Sequence, residues 1–279
     1  MLKIFIQGVS GDTPLAAECF TFPAGEAHVR APVLDAPPVG AQNILIRALL
    51  KNSHDVMFLL MATDALRRAY PFLPIDLDMP YVPYARQDRV ANPGEALGVK
   101  VFAELINAQN YRSVRIEDPH SDVAPALLNR VTVVDASAYV AKVLKQPEFA
   151  AGVTLIAPDA GARKRVLSIA QKLGIEDVGF ADKKRNTVSG KLDGFKFPVD
   201  IPRNQPALVV DDICDGGGTF VGLASAAQET VLGGMDLYLY VTHGIFSKGL
   251  EPIAEAYERV YTAHNWTSWS HHKVIQINA

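Results

Sequence analysis

The chain has few of the features that mark secreted, membrane or nucleic-acid-binding proteins. Cys19 and Cys214 are its only cysteines, so no disulfide framework is expected. The longest apolar run, Val56–Ala62, is too short to span a bilayer. A formal net charge of −3 gives little attraction for nucleic acid or an anionic membrane. These absences favour a soluble protein of the reducing cytoplasm that binds neither nucleic acid nor a membrane.

Apolar residues, by contrast, are plentiful and follow a regular pattern. They make up 49% of 279 residues, enough for the cores of two α/β domains of ordinary size. Strand-like runs alternate with helical patterns, which predicts mainly parallel sheets with helices on both faces. The pattern restarts close to residue 137. We therefore expect an α/β protein with domains over residues 1–137 and 138–279.

The coarse assignment of elements follows from the length and period of the apolar runs. The segment MLKIFIQGV is too short for a signal peptide and is typical of a first strand. The predicted strands are Leu2–Gln7, Asn43–Ile46, Met79–Val82, Val114–Glu117, Thr154–Ala157, Val178–Ala181, Leu208–Val210, Leu237–Val241 and Val274–Ile277. The predicted helices are Asp55–Arg68, Ala96–Ala108, Ala138–Leu144, Ala162–Leu173 and Thr219–Leu232.

The segment ALVVDDICDGGGTF carries the clearest chemistry. Ala207–Val210 is predicted as a buried parallel strand, with Asp211 and Asp212 where it ends. A turn over Gly216–Gly218 follows, and an apolar helix starts at Thr219. Glycine N–H groups and a helix N-terminus can bind a phosphate, while the carboxylates can accept bonds from two sugar hydroxyls. The pattern indicates a ribose-phosphate site, although aspartate pairs also cap helices.

Other segments place polar side chains after apolar runs. They are YVPYARQDR with Arg86 and Gln87, EDPHSD with His120, APDAGARKRV with Asp159, and ADKKRNTVSGK with Lys183 and Arg185. An arginine fork suits a nucleotide phosphate, and a carboxylate can bind Mg²⁺ through water. Plain alternatives exist: a solvated loop with an Arg–Asp pair, a surface turn with a hydrogen-bonded histidine, and a solvated run of charges. In THGIFSKG, Ser247 and Lys248 could cap the next helix.

Taken in order, these segments resemble the motifs of ribose-phosphate diphosphokinases, also called phosphoribosyl-diphosphate synthetases. The matching stretches are FPAGE, YARQDR, DPH, PDAG, KKR, VVDDICDGGGT and THGIFS. The resemblance covers nearly the whole chain and implies two phosphoribosyltransferase-type α/β domains. It also implies Mg²⁺-dependent transfer of the β,γ-diphosphate of ATP to the 1-hydroxyl of ribose 5-phosphate, which releases AMP. Mn²⁺ could replace Mg²⁺.

The resemblance also implies a role for each matching residue. ATP would be bound by Phe22, Ala24, Glu26, Arg86, Gln87 and His120, with the first three reaching into a neighbouring subunit of a homo-oligomer. The metal would be organised by His120 and Asp159. The catalytic cations, on a loop that closes over the diphosphate, would be Lys183 and Arg185. The ribose phosphate would be held by Asp211, Asp212, Asp215, Gly216, Gly217, Gly218 and Thr219.

The chain departs from the family pattern in three places. It ends at VIQINA, without the family's long C-terminal helix, which puts a hexamer and ADP or phosphate regulation in doubt. Asp122–Leu127 replaces the usual QIQGFF. Gly216 stands where the family usually has threonine. The missing side chain would weaken the contact with a 5-phosphate and open space for a larger group.

Three alternative functions remain open on the residues. The first is the same chemistry on ADP-ribose, an acceptor with a 5-diphosphate, which would place the enzyme in NAD metabolism. The second is a phosphoribosyltransferase that consumes the activated sugar, although it would not need ARQD, DPH and KKR. The third is a non-catalytic regulatory relative, although such a protein should have lost Lys183 and Arg185.

Overall fold

The computed structural model describes residues 2–34, 36–185, 192–230 and 235–277, with only the backbone described at 183–185 and 192–193. The chain divides into two compact units, Met1–Val134 and Asp135–Ala279. The sequence analysis places its boundary after residue 137. In the described part of the chain, no helix is long and apolar enough to cross a membrane.

The first unit is built on a six-stranded sheet in the order β2-β1-β5-β6-β7-β8. Its strands are β1 (Leu2–Gly8), β2 (Gly11–Leu15), β5 (Ala41–Ala48), β6 (Ile75–Asp78), β7 (Ser113–Glu117) and β8 (Val131–Val134). The strands from β5 to β8 run parallel, and β1 is antiparallel to both of its neighbours. A separate hairpin joins β3 (Glu18–Thr21) to β4 (Ala27–Arg30). The helices are α1 (Ser53–Ala69), α2 (Gly98–Ala108) and α3 (Val123–Leu127).

The second unit has a six-stranded, fully parallel sheet in the order β10-β9-β13-β14-β15-β16. Its strands are β9 (Thr154–Ala157), β10 (Val178–Phe180), β13 (Ala207–Cys214), β14 (Leu237–Gly244), β15 (Arg259–Asn265) and β16 (Val274–Gln276). A hairpin joins β11 (Asp182–Arg185) to β12 (Leu192–Lys196). The helices are α4 (Ser137–Val143), a 3-10 turn (Pro147–Phe149), α5 (Arg163–Leu173), α6 (Gly218–Thr230) and α7 (Glu251–Ala256).

The central strands of this sheet are buried because both faces are covered. Every residue of β14 is buried, as are the first four residues of β13. The core beside them includes Val209, Leu223, Leu239 and Phe246. Since parallel strands end at one edge of a sheet, the loops after β9, β13 and β14 meet there. The ribose-phosphate candidates lie at the end of β13 and in the segment that follows it.

The predicted α/β class with two mainly parallel sheets flanked by helices is confirmed, but three assignments need correction. The strand predicted over Met79–Val82 is wrong, because the strand is Ile75–Asp78 and Pro80 has no N–H to donate. The strand at Leu208–Val210 continues through both aspartates to Cys214. The predicted elements do not include helix α3 or strands β2, β3, β4, β8, β11, β12 and β15. Residues 231–232, at the end of the helix predicted from Thr219, lie outside the described residues.

Candidate functional site

The carboxylate pair of β13 is held by an arginine from the preceding helix. Asp212 is 3% exposed, and its N–H donates to Asp211 Oδ1 over 2.9 Å. Arg165 of α5 brings Nη1 to 3.3 Å from Oδ1 of each aspartate. Burial raises the pKa of Asp211 well above its ordinary value, the Asp212 carboxylate adds to this rise, and Arg165 opposes it. One cation thus partly compensates two neighbouring carboxylates.

The glycine turn after β13 has the shape of a small cradle. Gly217 has φ +75°, and a Cβ added there would lie 2.4 Å from Ile253 Cδ1. At Gly218, which starts α6, an added Cβ would meet open space among the described residues beyond its chain neighbours and its own helix backbone. Phe220 and Val221 donate their N–H groups to the Gly217 carbonyl, each over 3.0 Å. The open side of the turn therefore faces the start of a helix, where an anion is favoured.

Gly216, the residue that replaces the family's threonine, does not border open space. A Cβ added there would lie 3.3 Å from Lys248 Cε, 3.4 Å from its Cδ and 3.7 Å from its Cγ. The hypothesis that Gly216 opens space at this point therefore needs correction. The aliphatic stem of Lys248 borders the position.

Hydrogen bonds tie the loop after β14 to the cradle. Ile245 and Phe246 donate their N–H groups to the Cys214 carbonyl over 2.9 and 3.0 Å. Ser247 donates its N–H to the Asp215 carbonyl over 3.1 Å and its Oγ–H to Asp215 Oδ1 over 2.7 Å. The expectation that Ser247 and Lys248 cap the next helix is wrong, because α7 has no side-chain cap. Asp215 joins the two loops.

Asp159 lies after β9, the other neighbour of β13. Its Oδ1 accepts N–H groups from Gly161 over 2.9 Å and Ala162 over 3.3 Å, at the start of α5. Among the described residues, no group of three or more His, Cys, Asp or Glu side chains is arranged to hold a metal ion. Mg²⁺ is commonly bound by one or two carboxylates and substrate phosphates. The role of His120 and Asp159 stays a prediction.

The predicted catalytic cations lie on the hairpin of β11 and β12. Lys183 pairs with Phe195, and Arg185 pairs with Leu192. The side chains of Lys183 and Arg185 are outside the described residues. Phe195 packs against α6, where a Cβ added at Gly222 would lie 2.3 Å from Phe195 Cε2. The hairpin is thereby joined to the helix that starts at the cradle.

In the first unit, the hairpin of β3 and β4 carries an exposed aromatic cluster. The rings of Phe20, Phe22 and His28 lie 5.2–5.7 Å apart, and Phe22 is 45% exposed. Ala24 and Glu26 are exposed in the connecting turn, where Phe22 donates its N–H to the Glu26 carbonyl over 2.8 Å. The sequence analysis does not name Phe20 or His28 as a site residue. Their alternation with Phe22 and Glu26 was the available signal, and the cluster offers a face on which a planar ring could stack.

The remaining candidates of the first unit follow β6 and β7, which are neighbours in the sheet. Arg86 and His120 are exposed. Gln87 does not extend freely, because its side chain lies against the first residue of α2: a Cβ added at Gly98 would lie 2.1 Å from Gln87 Oε1. Tyr84 and Asp118, two residues before Arg86 and His120, have φ values of +63° and +39°. Such backbone strain is concentrated at functional sites.

The chain has a phosphoribosyltransferase-type fold, with a carboxylate pair and a glycine cradle at the start of a helix on the β13 edge. The family model for the N-terminal domain of ribose phosphate pyrophosphokinase matches residues 9–109. The ribose-phosphate pyrophosphokinase of Pyrococcus abyssi is 30% identical over 249 residues, which cover 88% of this chain and 79% of that protein. The chain belongs to the ribose-phosphate pyrophosphokinase family.

Further relatives agree with this assignment. The ribose-phosphate pyrophosphokinase of Thermococcus kodakarensis is 29% identical, with 90% of this chain and 86% of that protein covered. Phosphoribosylpyrophosphate synthetase from Mycobacterium smegmatis has the same fold, with a TM-score of 0.77 and 22% identity over 95% of this chain and 87% of that chain.

Proposed function

We propose that the protein transfers the β,γ-diphosphate of ATP to the 1-hydroxyl of ribose 5-phosphate, in a reaction that depends on Mg²⁺. The observation that carries this proposal is the juxtaposition, on one strand and its following turn, of Asp211 and Asp212 with the cradle of Gly217 and Gly218. Sugar hydroxyls need acceptors and a phosphate needs donors. The β13 edge supplies both within one segment.

In this proposal the second unit orients the acceptor. The 2- and 3-hydroxyls of the ribose donate to the carboxylates of Asp211 and Asp212, and the 5-phosphate accepts N–H groups at the start of α6. With three substituents fixed, the 1-hydroxyl is left to react. Such positioning accounts for much of the rate enhancement in phosphoryl transfer.

The reaction itself is a displacement at phosphorus. The oxygen of the 1-hydroxyl forms a bond to the β-phosphorus, the bond from that phosphorus to the α,β-bridging oxygen breaks, and the hydroxyl proton is released. AMP leaves. Lys183 and Arg185 neutralise the charge that develops on the diphosphate. A bound Mg²⁺, organised on the protein side by His120 and Asp159, would neutralise phosphate charge.

ATP would be recognised by the first unit. The exposed cluster of Phe20, Phe22 and His28 supports stacking of the adenine there, and Arg86 would contact the phosphates. A hairpin separate from the main sheet is suited to reach a neighbouring subunit. We therefore propose a homo-oligomer, which light scattering on the purified protein would test.

ADP-ribose is the second acceptor to consider, because Gly216 lacks the hydroxyl of the family's threonine. The decisive assay measures AMP released from ATP with ribose 5-phosphate, ADP-ribose or unphosphorylated ribose. We expect the highest kcat/KM with ribose 5-phosphate. Release of AMP with ADP-ribose alone would favour the second acceptor, and no AMP with any acceptor would contradict the proposed transfer.

A further inference from the structure

One cation beside the cradle has no role in the reaction as described so far. Lys248 lies in the loop after β14, and three methylene carbons of its stem lie 3.3–3.7 Å from the position that a Cβ of Gly216 would take. The stem therefore lies along the cradle where the family's threonine would stand. A side chain at 216 would contact this stem, and the end of the lysine would have to shift by a few tenths of an ångström.

The loop that carries Lys248 is held in place. Ser247, its neighbour, makes two hydrogen bonds to Asp215, of 3.1 and 2.7 Å. Phe246 is 1% exposed with φ +50°, and its ring lies against Gly244, where an added Cβ would be 2.1 Å from Phe246 Cε2. A buried anchor and a double hydrogen bond fix the start of the Lys248 side chain, which limits the entropy lost when the ammonium binds a ligand.

The charge of Lys248 is available. Its side chain is exposed, and among the described residues no carboxylate lies within 4.0 Å of its ammonium group. The guanidinium of Arg165, on α5, faces Asp211 and Asp212. Asp215 accepts from Ser247. The cradle therefore has a cation beside it that its own carboxylates do not neutralise.

We propose that Lys248 binds the terminal 5-phosphate of the acceptor and makes the site selective for a phosphate monoester. This inference rests on the proposed function and names a specificity-determining residue for it. Gly216 gives the lysine stem its path, and the ammonium supplies a charge-assisted bond in place of the missing hydroxyl. A monoester carries more negative charge per phosphate than either phosphate of a nucleoside-diphosphate sugar. One cation at the cradle therefore favours ribose 5-phosphate over ADP-ribose.

The test measures binding and turnover separately, with ribose 5-phosphate, ADP-ribose and ribose as the probes. Lys248→Met keeps the stem and removes the charge, whereas Lys248→Arg keeps the charge. Lys145→Met, an exposed lysine of the same unit outside the site, is the matched control. We expect Lys248→Met to raise the Kd of ribose 5-phosphate, measured by calorimetry without ATP, about 10- to 100-fold. Its KM should rise more than its kcat falls.

Further outcomes decide the proposal. Lys248→Arg should recover most of the affinity, and Lys145→Met should change nothing. A Kd for ribose 5-phosphate within twofold of wild type in Lys248→Met would overturn the proposal, as would an equal loss of affinity for ADP-ribose or for ribose. If wild type forms AMP but Lys248→Met is unaffected, only this inference fails. If ribose 5-phosphate binds through Lys248 but no AMP forms, only the proposed reaction fails.

Discussion

Replacing Arg165 with methionine should destabilise the fold by removing the cation that faces Asp211 and Asp212. Each pair has an N–O distance of 3.3 Å, which corresponds to an attraction of about 5 kcal/mol at an effective dielectric constant of about 20. Desolvation of the three groups offsets much of that gain. Breaking a buried pair costs about 3–5 kcal/mol. Since the Arg165 and Asp211 side chains are 13% and 16% exposed, we expect Arg165→Met to lower the free energy of unfolding by about 3 kcal/mol.

The pH dependence of this loss follows from the pKa of Asp211, which burial and Asp212 raise above the ordinary value. A carboxyl with a higher pKa in the folded state takes up a proton on folding, so its contribution becomes more favourable as pH falls through the folded-state pKa. Without Arg165 that pKa rises further. The difference in the free energy of unfolding between wild type and Arg165→Met should therefore become smaller as the pH is lowered from 7 to 5.

Urea unfolding at both pH values measures the effect. Arg163→Met is the matched control, because Arg163 lies on the same helix but pairs with Asp182 at an exposed site, where an ion pair contributes about 0–1 kcal/mol. Adding Asp211→Asn to Arg165→Met should restore about 1 kcal/mol or more by removing one of the two carboxylates. An Arg165→Met variant as stable as the control would refute the reasoning. A loss of unfolding free energy, relative to wild type, that is larger at pH 5 than at pH 7 would also refute it.

Other predictions test the remaining parts of the site. Lys183→Ala and Arg185→Ala should each lower turnover by a factor of roughly 10²–10⁵, with thermal stability unchanged. Turnover within threefold of wild type in both variants would exclude the catalytic assignment. Gly217→Ala should lower the free energy of unfolding by about 1–3 kcal/mol, because Gly217 has a positive φ and an added Cβ would contact Ile253. Gly218→Ala should leave the free energy of unfolding within about 0.5 kcal/mol of wild type. Equal denaturant midpoints for the two variants would contradict the strain argument. Excess chelator should abolish AMP formation and added Mg²⁺ or Mn²⁺ should restore it; full activity in chelator would rule out a metal-dependent reaction.

The sequence predicts elements whose apolar pattern is continuous and fails where polar side chains interrupt it. Ala207–Val210 is recognisable as a buried strand, and β9 and β14 are equally clear. The strand β6 is hidden because Asp76 and Asp78 break its apolar run. In the structure, these aspartates accept from Arg112 and Arg115 of a neighbouring segment and strand. A single sequence does not show that such partners are close.

The same limit applies to the candidate site. The motif order and the position of the cradle follow from local pattern, because a strand, a glycine turn and a helix are adjacent along the chain. The roles of Arg165 and Lys248 do not follow, since each acts on a segment far from its own position. Arg165 belongs to a basic run that resembles a solvated helix start. Lys248 resembles a helix cap until the hydrogen bonds of Ser247 are known.

The central claim, attack of the acceptor on the β-phosphorus of ATP, is tested most directly with an isotope. ATP labelled with ¹⁸O in the α,β-bridging position is incubated with the protein, ribose 5-phosphate and Mg²⁺. The products are separated, and their masses are measured by mass spectrometry. The account predicts equal amounts of AMP and of a ribose 5-phosphate that has gained a diphosphate at the 1-hydroxyl, with the label retained in AMP. Label in the sugar product, or transfer of a single phosphoryl group with release of ADP, would contradict it.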